Sequence, residues 1–192
     1  MNKDHMHQTL LKKSYWYPLL FSVLFTFSCL PSYAWNHSIE LGYGASHDPN
    51  HTKYNNSGFL LSGDLIPLWW RTPWSFFSLT GSLGQWHTNA PRDKNVTTGA
   101  LSLALRFYLL RTDCHQYHPY LLASFGPAYL SSRRYGENTQ GSHLSIQSNL
   151  GFGFEYLPFD INLRLQHFSN AGLAHPNQGF NVLYLLSVGY LF

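Results

Sequence analysis

His143-Leu144-Ser145-Ile146-Gln147-Ser148-Asn149-Leu150-Gly151-Phe152-Gly153-Phe154-Glu155-Tyr156-Leu157 alternates with a period of two. Leu144, Ile146, Leu150, Phe152, Phe154 and Tyr156 share one face, while Ser145, Gln147, Asn149, Gly151, Gly153 and Glu155 share the other. Successive side chains on a strand point to opposite sides, so this is a strand with one apolar and one polar face. The pattern recurs at Leu101, Leu103, Leu105, Phe107 and Leu109, which oppose Ser102, Ala104, Arg106 and Tyr108. In a soluble sandwich the apolar face would turn inward. Here the polar faces carry Glu40, Asp64, Arg106, Glu155 and Arg164, a set that fits the inside of a narrow barrel where opposite charges pair. The apolar faces then meet lipid.

Working outward from that stretch, eight strand-like runs follow one another between Gly, Pro, Asn and Asp punctuation: Ser38–Ser46, Gly58–Trp70, Pro73–His87, Thr98–Arg111, Tyr117–Leu130, His143–Leu157, Phe159–Ser169 and Gly179–Phe192. The expected fold is all-β, an eight-stranded antiparallel transmembrane β-barrel spanning residues 35–192. An even strand number places both ends on the periplasmic side, and eight strands leave an interior that side chains fill. Connections at Arg71-Thr72-Pro73 and Leu157-Pro158-Phe159-Asp160 are tight, whereas Ser46–Ser57, His87–Thr98, Ser131–Gly141 and Asn170–Gln178 are long and polar. Short turns mark the periplasm and long loops the outside; the connection Arg111–His118 is longer than a minimal turn. Trp69, Trp70, Trp74, Phe76 and Phe77 flank one short turn, as an interfacial aromatic belt would. The terminal Phe192 resembles the C-terminal signature of outer-membrane barrels. A secreted lipocalin-like barrel is the alternative.

The composition agrees. Aromatic residues make up 17% of the chain and charged residues only 11%. Residues 1–34 read as a cleaved secretory signal peptide: Lys12 and Lys13, an apolar run from Tyr17 to Leu30, and Ser32-Tyr33-Ala34 as the cleavage site. The run is shorter than the ~20 residues of a spanning helix, and the surroundings of Cys29 fit a lipoprotein signal poorly. From Trp35 onward nine Lys/Arg face eight Asp/Glu, a balance that argues against a nucleic-acid partner. Cys114 is the only cysteine of that part, which excludes an internal disulfide.

The seventh run carries the chemistry. Asn162, Arg164 and Gln166 take its polar face; Leu163, Leu165, His167 and Ser169 take the outer one. Rising from the turn at Pro158, His167 and Ser169 reach the extracellular rim on the lipid side. There a His and a Ser cost stability and gain nothing from packing. Two residues apart on one face, their side chains emerge ~7 Å apart, close enough for an imidazole to take a hydroxyl proton. His143 and Ser145 repeat the spacing, but Ser145 falls on the inward face. Orientation therefore separates the two pairs. An interfacial polar pair without catalysis is the competing reading.

His167-Phe168-Ser169-Asn170-Ala171-Gly172-Leu173, followed by Pro176-Asn177 and Gly179, resembles the signature of the PagL-type lipid A deacylases. These are eight-stranded outer-membrane barrels that remove the ester-linked acyl chain at the 3-position of lipid A. The resemblance implies a serine esterase with His167 as general base and Ser169 as nucleophile, with Asn170 and the N–H of Gly172 at the oxyanion. The family's third member is a Glu fourteen residues after the His. That position holds Asn181, which could orient the imidazole but not stabilise it with charge. Parity counted back from Phe192 turns Asn181 inward unless the strand carries a bulge.

The function expected is a lipid A 3-O-deacylase releasing a 3-hydroxy fatty acid, with no metal or organic cofactor. The partners are lipopolysaccharide, the outer membrane and, left open, a second copy in a homodimer. The alternatives are a non-enzymatic small barrel of the adhesion or membrane-stability type, and a phospholipase-type esterase using the same site. His47, Asp48 and His51 form a weak metal motif. Lys53, Arg92, Lys94, Arg133 and Arg134 lie on the extracellular side, available to lipid A phosphates or simply to water.

Overall fold

A computed structural model describes residues 35–47, 54–67 and 70–192, with side chains from residue 37 onward. The expected signal peptide, Asp48, His51, Lys53 and Trp69 lie outside the described residues. The strands are β1 (Trp35–Ser46), β2 (Asn56–Pro67), β3 (Ser75–Thr88), β4 (Asn95–Tyr108), β5 (Tyr117–Leu130), the short β6 (Arg134–Tyr135) and β7 (Asn138–Thr139), β8 (Leu144–Tyr156), β9 (Phe159–Ser169) and β10 (Phe180–Leu191). Eight of them close a barrel in the order β1-β10-β9-β8-β5-β4-β3-β2, and β6 with β7 makes a separate hairpin between β5 and β8. Every neighbouring pair is antiparallel. Where the last strand meets the first, His37 and Phe192 exchange both backbone hydrogen bonds at 2.9 Å. Closure leaves no open edge, the condition lipid imposes on a sheet.

The two faces separate as the alternation requires. Leu41, Phe59, Leu83, Phe125, Leu150 and Phe152 are each about 60% exposed or more and all point outward. An apolar belt of that extent suits acyl chains and not water. Inside, Arg106 is the hub. Its guanidinium lies 2.7 Å from Glu40, Glu155 and Asp160 and 3.2 Å from Asp64, with the rings of Phe76 and Tyr120 packed against it. Arg164 adds a 3.0 Å pair to Glu40. Tyr108 and Tyr120 donate to Glu155 and Asp160. A cavity beside Arg106, Arg164 and Asn149 holds about 10 Å³, near the size of one water, and side chains fill the lumen around it.

Three expectations change in detail. Phe76, assigned to the outer aromatic belt, points inward at 1% exposure beneath Arg106, while Trp70, Trp74 and Phe77 do face out. Asp160, counted both in the tight turn and in the seventh run, is the second residue of β9 and wholly buried, a fourth carboxylate that the expected inward set did not include. The lumen is also not polar throughout. Its extracellular end is closed by Leu60, Trp86, Leu130, Phe168, Phe180 and Val182, with Tyr135 of the β6–β7 hairpin packed among them. At the other end, Arg111 bonds Asp113 at 2.7 and 3.1 Å, fixing the longer turn and holding that carboxyl at about 2.

Arg106 is therefore the residue whose loss the barrel tolerates least. Arg106→Met leaves Asp64, Glu155 and Asp160 without their arginine and Glu40 with Arg164 alone, and breaking such a pairing costs about 3–5 kcal/mol. Urea unfolding in detergent or liposomes is expected to show that loss or outright failure to fold. Leu83→Phe, an apolar exchange on the lipid face, should unfold like the wild type.

Candidate active site

Phe168 positions the site. It is fully buried, stacks on Phe180 at 4.7 Å between ring centroids, and lies directly opposite it in the β9–β10 ladder. With Phe168 anchored inside, its neighbours His167 and Ser169 must project outward. His167 is exposed and Ser169 partly so, at the extracellular end of β9 beside the long loops.

Asn181 joins them, contrary to parity counted from Phe192. Val182 pairs with Gln166, but the next register pair is Leu185 with Arg164, so Leu183 and Tyr184 together oppose Leu165. This is a β-bulge. Below it Leu185 and Ser187 point inward; above it Phe180 and Val182 do. The extra residue thus turns Asn181 outward, directly opposite His167. The His167 Nδ1–H donates to Asn181 Oδ1 at 2.6 Å. An imidazole that carries its proton on Nδ1 leaves Nε2 as the basic nitrogen.

Gly179 lies against both the imidazole and the serine. A Cβ on this glycine would lie 2.9 Å from His167 Cε1 and 3.1 Å from Ser169 Cβ, and would collide with the carbonyl of Phe168. Only a bare backbone leaves room for both side chains at once.

Asn170 and Gly172 serve a different geometry from the one expected of an empty oxyanion hole. Asn170 is buried, and its Oδ1 accepts the N–H of Gly172 at 3.0 Å. Its Nδ2 donates to the carbonyl of Ala174 at 2.7 Å and, at 3.4 Å, to that of Pro176. Asn177 Oδ1 takes the N–H of Asn170 in return. Both groups are engaged in folding the 170–178 loop, whose turn carries positive φ at Ala171 (52°) and Gly172 (78°). The β6–β7 hairpin braces this loop: Gly141 N–H meets Pro176 O at 2.6 Å, and Thr139 and Gln178 bond each other twice.

Ser148, which the sequence reading passed over, faces outward on β8 directly opposite His167. Its signal was a gap: it is the polar member of the series Leu144, Ile146, Ser148, Leu150. The comparison pair behaves differently. Ser145 is buried in the lumen beside Gln140, and His143 Nδ1 bonds the carbonyl of Leu130. Among the described residues no group of three or more His, Cys, Asp or Glu could hold a metal; Asp48 and His51 lie outside them.

A plugged eight-stranded barrel with an apolar girdle, and a His–Asn–Ser cluster on its outer wall, defines the class as an outer-membrane barrel. Residues 57–190 match the family model described as lipid A 3-O-deacylase (PagL). The lipid A deacylase PagL of Pseudomonas aeruginosa is 30% identical over 124 residues, covering 62% of this chain and 68% of that protein. That of Bordetella bronchiseptica is 36% identical over 67 residues, covering 34% and 38%. Among solved structures, the outer membrane enzyme PagL superposes with a TM-score of 0.59 at 21% identity, over 81% of this chain and 98% of that one. Neisserial surface protein A gives 0.52 at 13%, over 82% and 96%. The chain belongs to the lipid A 3-O-deacylase (PagL) family, and is a hydrolase of the outer membrane.

Gly179→Ala should leave a folded, heat-modifiable barrel whose rate of acyl release falls more than about tenfold, since a misplacement near 1 Å at a reacting pair costs about 100-fold. Wild-type turnover in this variant would show that Gly179 does not set the His167–Ser169 spacing.

Proposed function

We propose that the outward cluster removes the 3-position acyl chain of lipid A by a serine–histidine mechanism. The observation that supports it is the Nδ1–Asn181 bond, which leaves Nε2 of His167 as the base beside Ser169 on the lipid-facing rim. His167 Nε2 takes the hydroxyl proton as Ser169 Oγ attacks the ester carbonyl. The tetrahedral intermediate expels the sugar oxygen, which leaves with the proton from His167, and the acyl group stays on Ser169. Water then attacks through the same base and releases a 3-hydroxy fatty acid. The oxyanion competes with Asn170 Oδ1 for the N–H of Gly172, and Asn170 keeps that N–H in place.

Asn181 orients the imidazole without adding charge. A neutral hydrogen bond of this kind is worth about 1 kcal/mol, far less than a carboxylate stabilising the imidazolium. The substrate ester lies in the outer leaflet and reaches the site along the barrel wall, so no pore is needed. Export by cleavage after Ala34 belongs to the same reading.

Mass spectra of lipid A from a host with susceptible lipopolysaccharide test this. Ser169→Ala and His167→Ala should abolish acyl loss in folded barrels. Asn181→Ala should lower it about tenfold and Asn181→Glu should raise it, while Ser145→Ala stays active. Full activity in Ser169→Ala would exclude the serine mechanism.

A further inference from the structure

The bulge that turns Asn181 outward interrupts the β9–β10 ladder near the rim of the wall. On the other side of β10, the register with β1 ends at Ala45 opposite Tyr184. The next residue of β1 is Ser46. Its side chain points inward and is 4% exposed. Its Oγ accepts the N–H of Leu183 at 2.9 Å and donates to the carbonyl of Asn181 at 3.0 Å. One hydroxyl thus stands in for the missing ladder bonds on both sides of Val182. Gly44 completes the fit, because a Cβ there would lie 2.5 Å from Val182 Cγ1 and 2.9 Å from Trp86.

We infer that Ser46 is a positioning residue for deacylation: it clamps the bulge in the one register that presents Asn181 to His167. This rests on the reading of His167 and Asn181 given above. Ser46 touches neither the substrate nor the imidazole, and acts only through the backbone of Asn181. Without the hydroxyl, the N–H of Leu183 and the carbonyl of Asn181 lose their shared partner, and such groups do not stay unpaired in a lipid-embedded wall. The segment then relaxes towards the regular register, in which Asn181 faces the lumen.

A double-mutant cycle on the full barrel, assayed on detergent-dispersed lipid A, separates this from a loss of stability. Ser46→Ala should lower kcat about tenfold with KM unchanged, since orienting a base matters to the reacting state and not to lipid binding. Asn181→Ala should do the same. The double variant should be no slower than either single one, because both remove the same bond. A kcat unchanged in Ser46→Ala would overturn the inference. So would a loss that multiplies undiminished in the Asn181→Ala background, because Ser46 would then act by another route. A wild-type barrel that releases no acyl chain fails the parent reading instead, and is a separate result.

Discussion

Lipid offers a backbone no hydrogen-bond partners, and every feature of this protein answers to that constraint. An antiparallel sheet can satisfy it only by closing, which it does where Phe192 and His37 exchange their bonds. Closure at eight strands leaves an interior that side chains fill. The charged groups that alternate inward must then satisfy one another, and Arg106 with its four carboxylates is how they do so. The same constraint governs the irregularity at the active site. A bulge leaves backbone groups without ladder partners, and the hydroxyl of Ser46 supplies them.

Plugging the lumen and turning the His167–Asn181 pair outward are two sides of one arrangement. Phe168 and Phe180 stack inside the mouth, and Tyr135 of the β6–β7 hairpin packs on Phe180 at 4.8 Å. These buried rings fix the backbone whose alternate positions carry His167, Ser169 and Asn181. The proposed reacting groups therefore sit on two paired strands, beside the 170–178 loop and its bonds to Thr139 and Gly141. On the proposed mechanism, an amphipathic substrate would meet them without leaving its leaflet.

Much of this was legible in the residues. Period-two alternation in β4 and β8 gave the inside and outside of the wall, and loop lengths gave its direction. The orientation of His167 and Ser169 followed from Asn162, Arg164 and Gln166 on the opposite face. What stayed hidden was non-local. Parity is blind to a bulge, because the extra residue between Val182 and Leu185 is defined only by pairing with β9. Phe76 and Phe180 look like lipid-facing aromatics until neighbouring strands place them inside. The use of Asn170 as the brace of its own loop depends on how residues 174–177 fold back. Ser148 was readable as a polar interruption, but its place opposite His167 required the β8–β9 register.

The central claim is that Ser169, on the outer wall, is the nucleophile activated by His167. A fluorophosphonate carrying an acyl-like tail tests it directly, because such a probe captures only an activated serine. After reaction with the folded barrel, the labelled peptide is located by mass spectrometry. A single label on Ser169 is expected, blocked by lipid A and absent from His167→Ala. Label on Ser148 instead, or an active enzyme that takes no label at all, would contradict it.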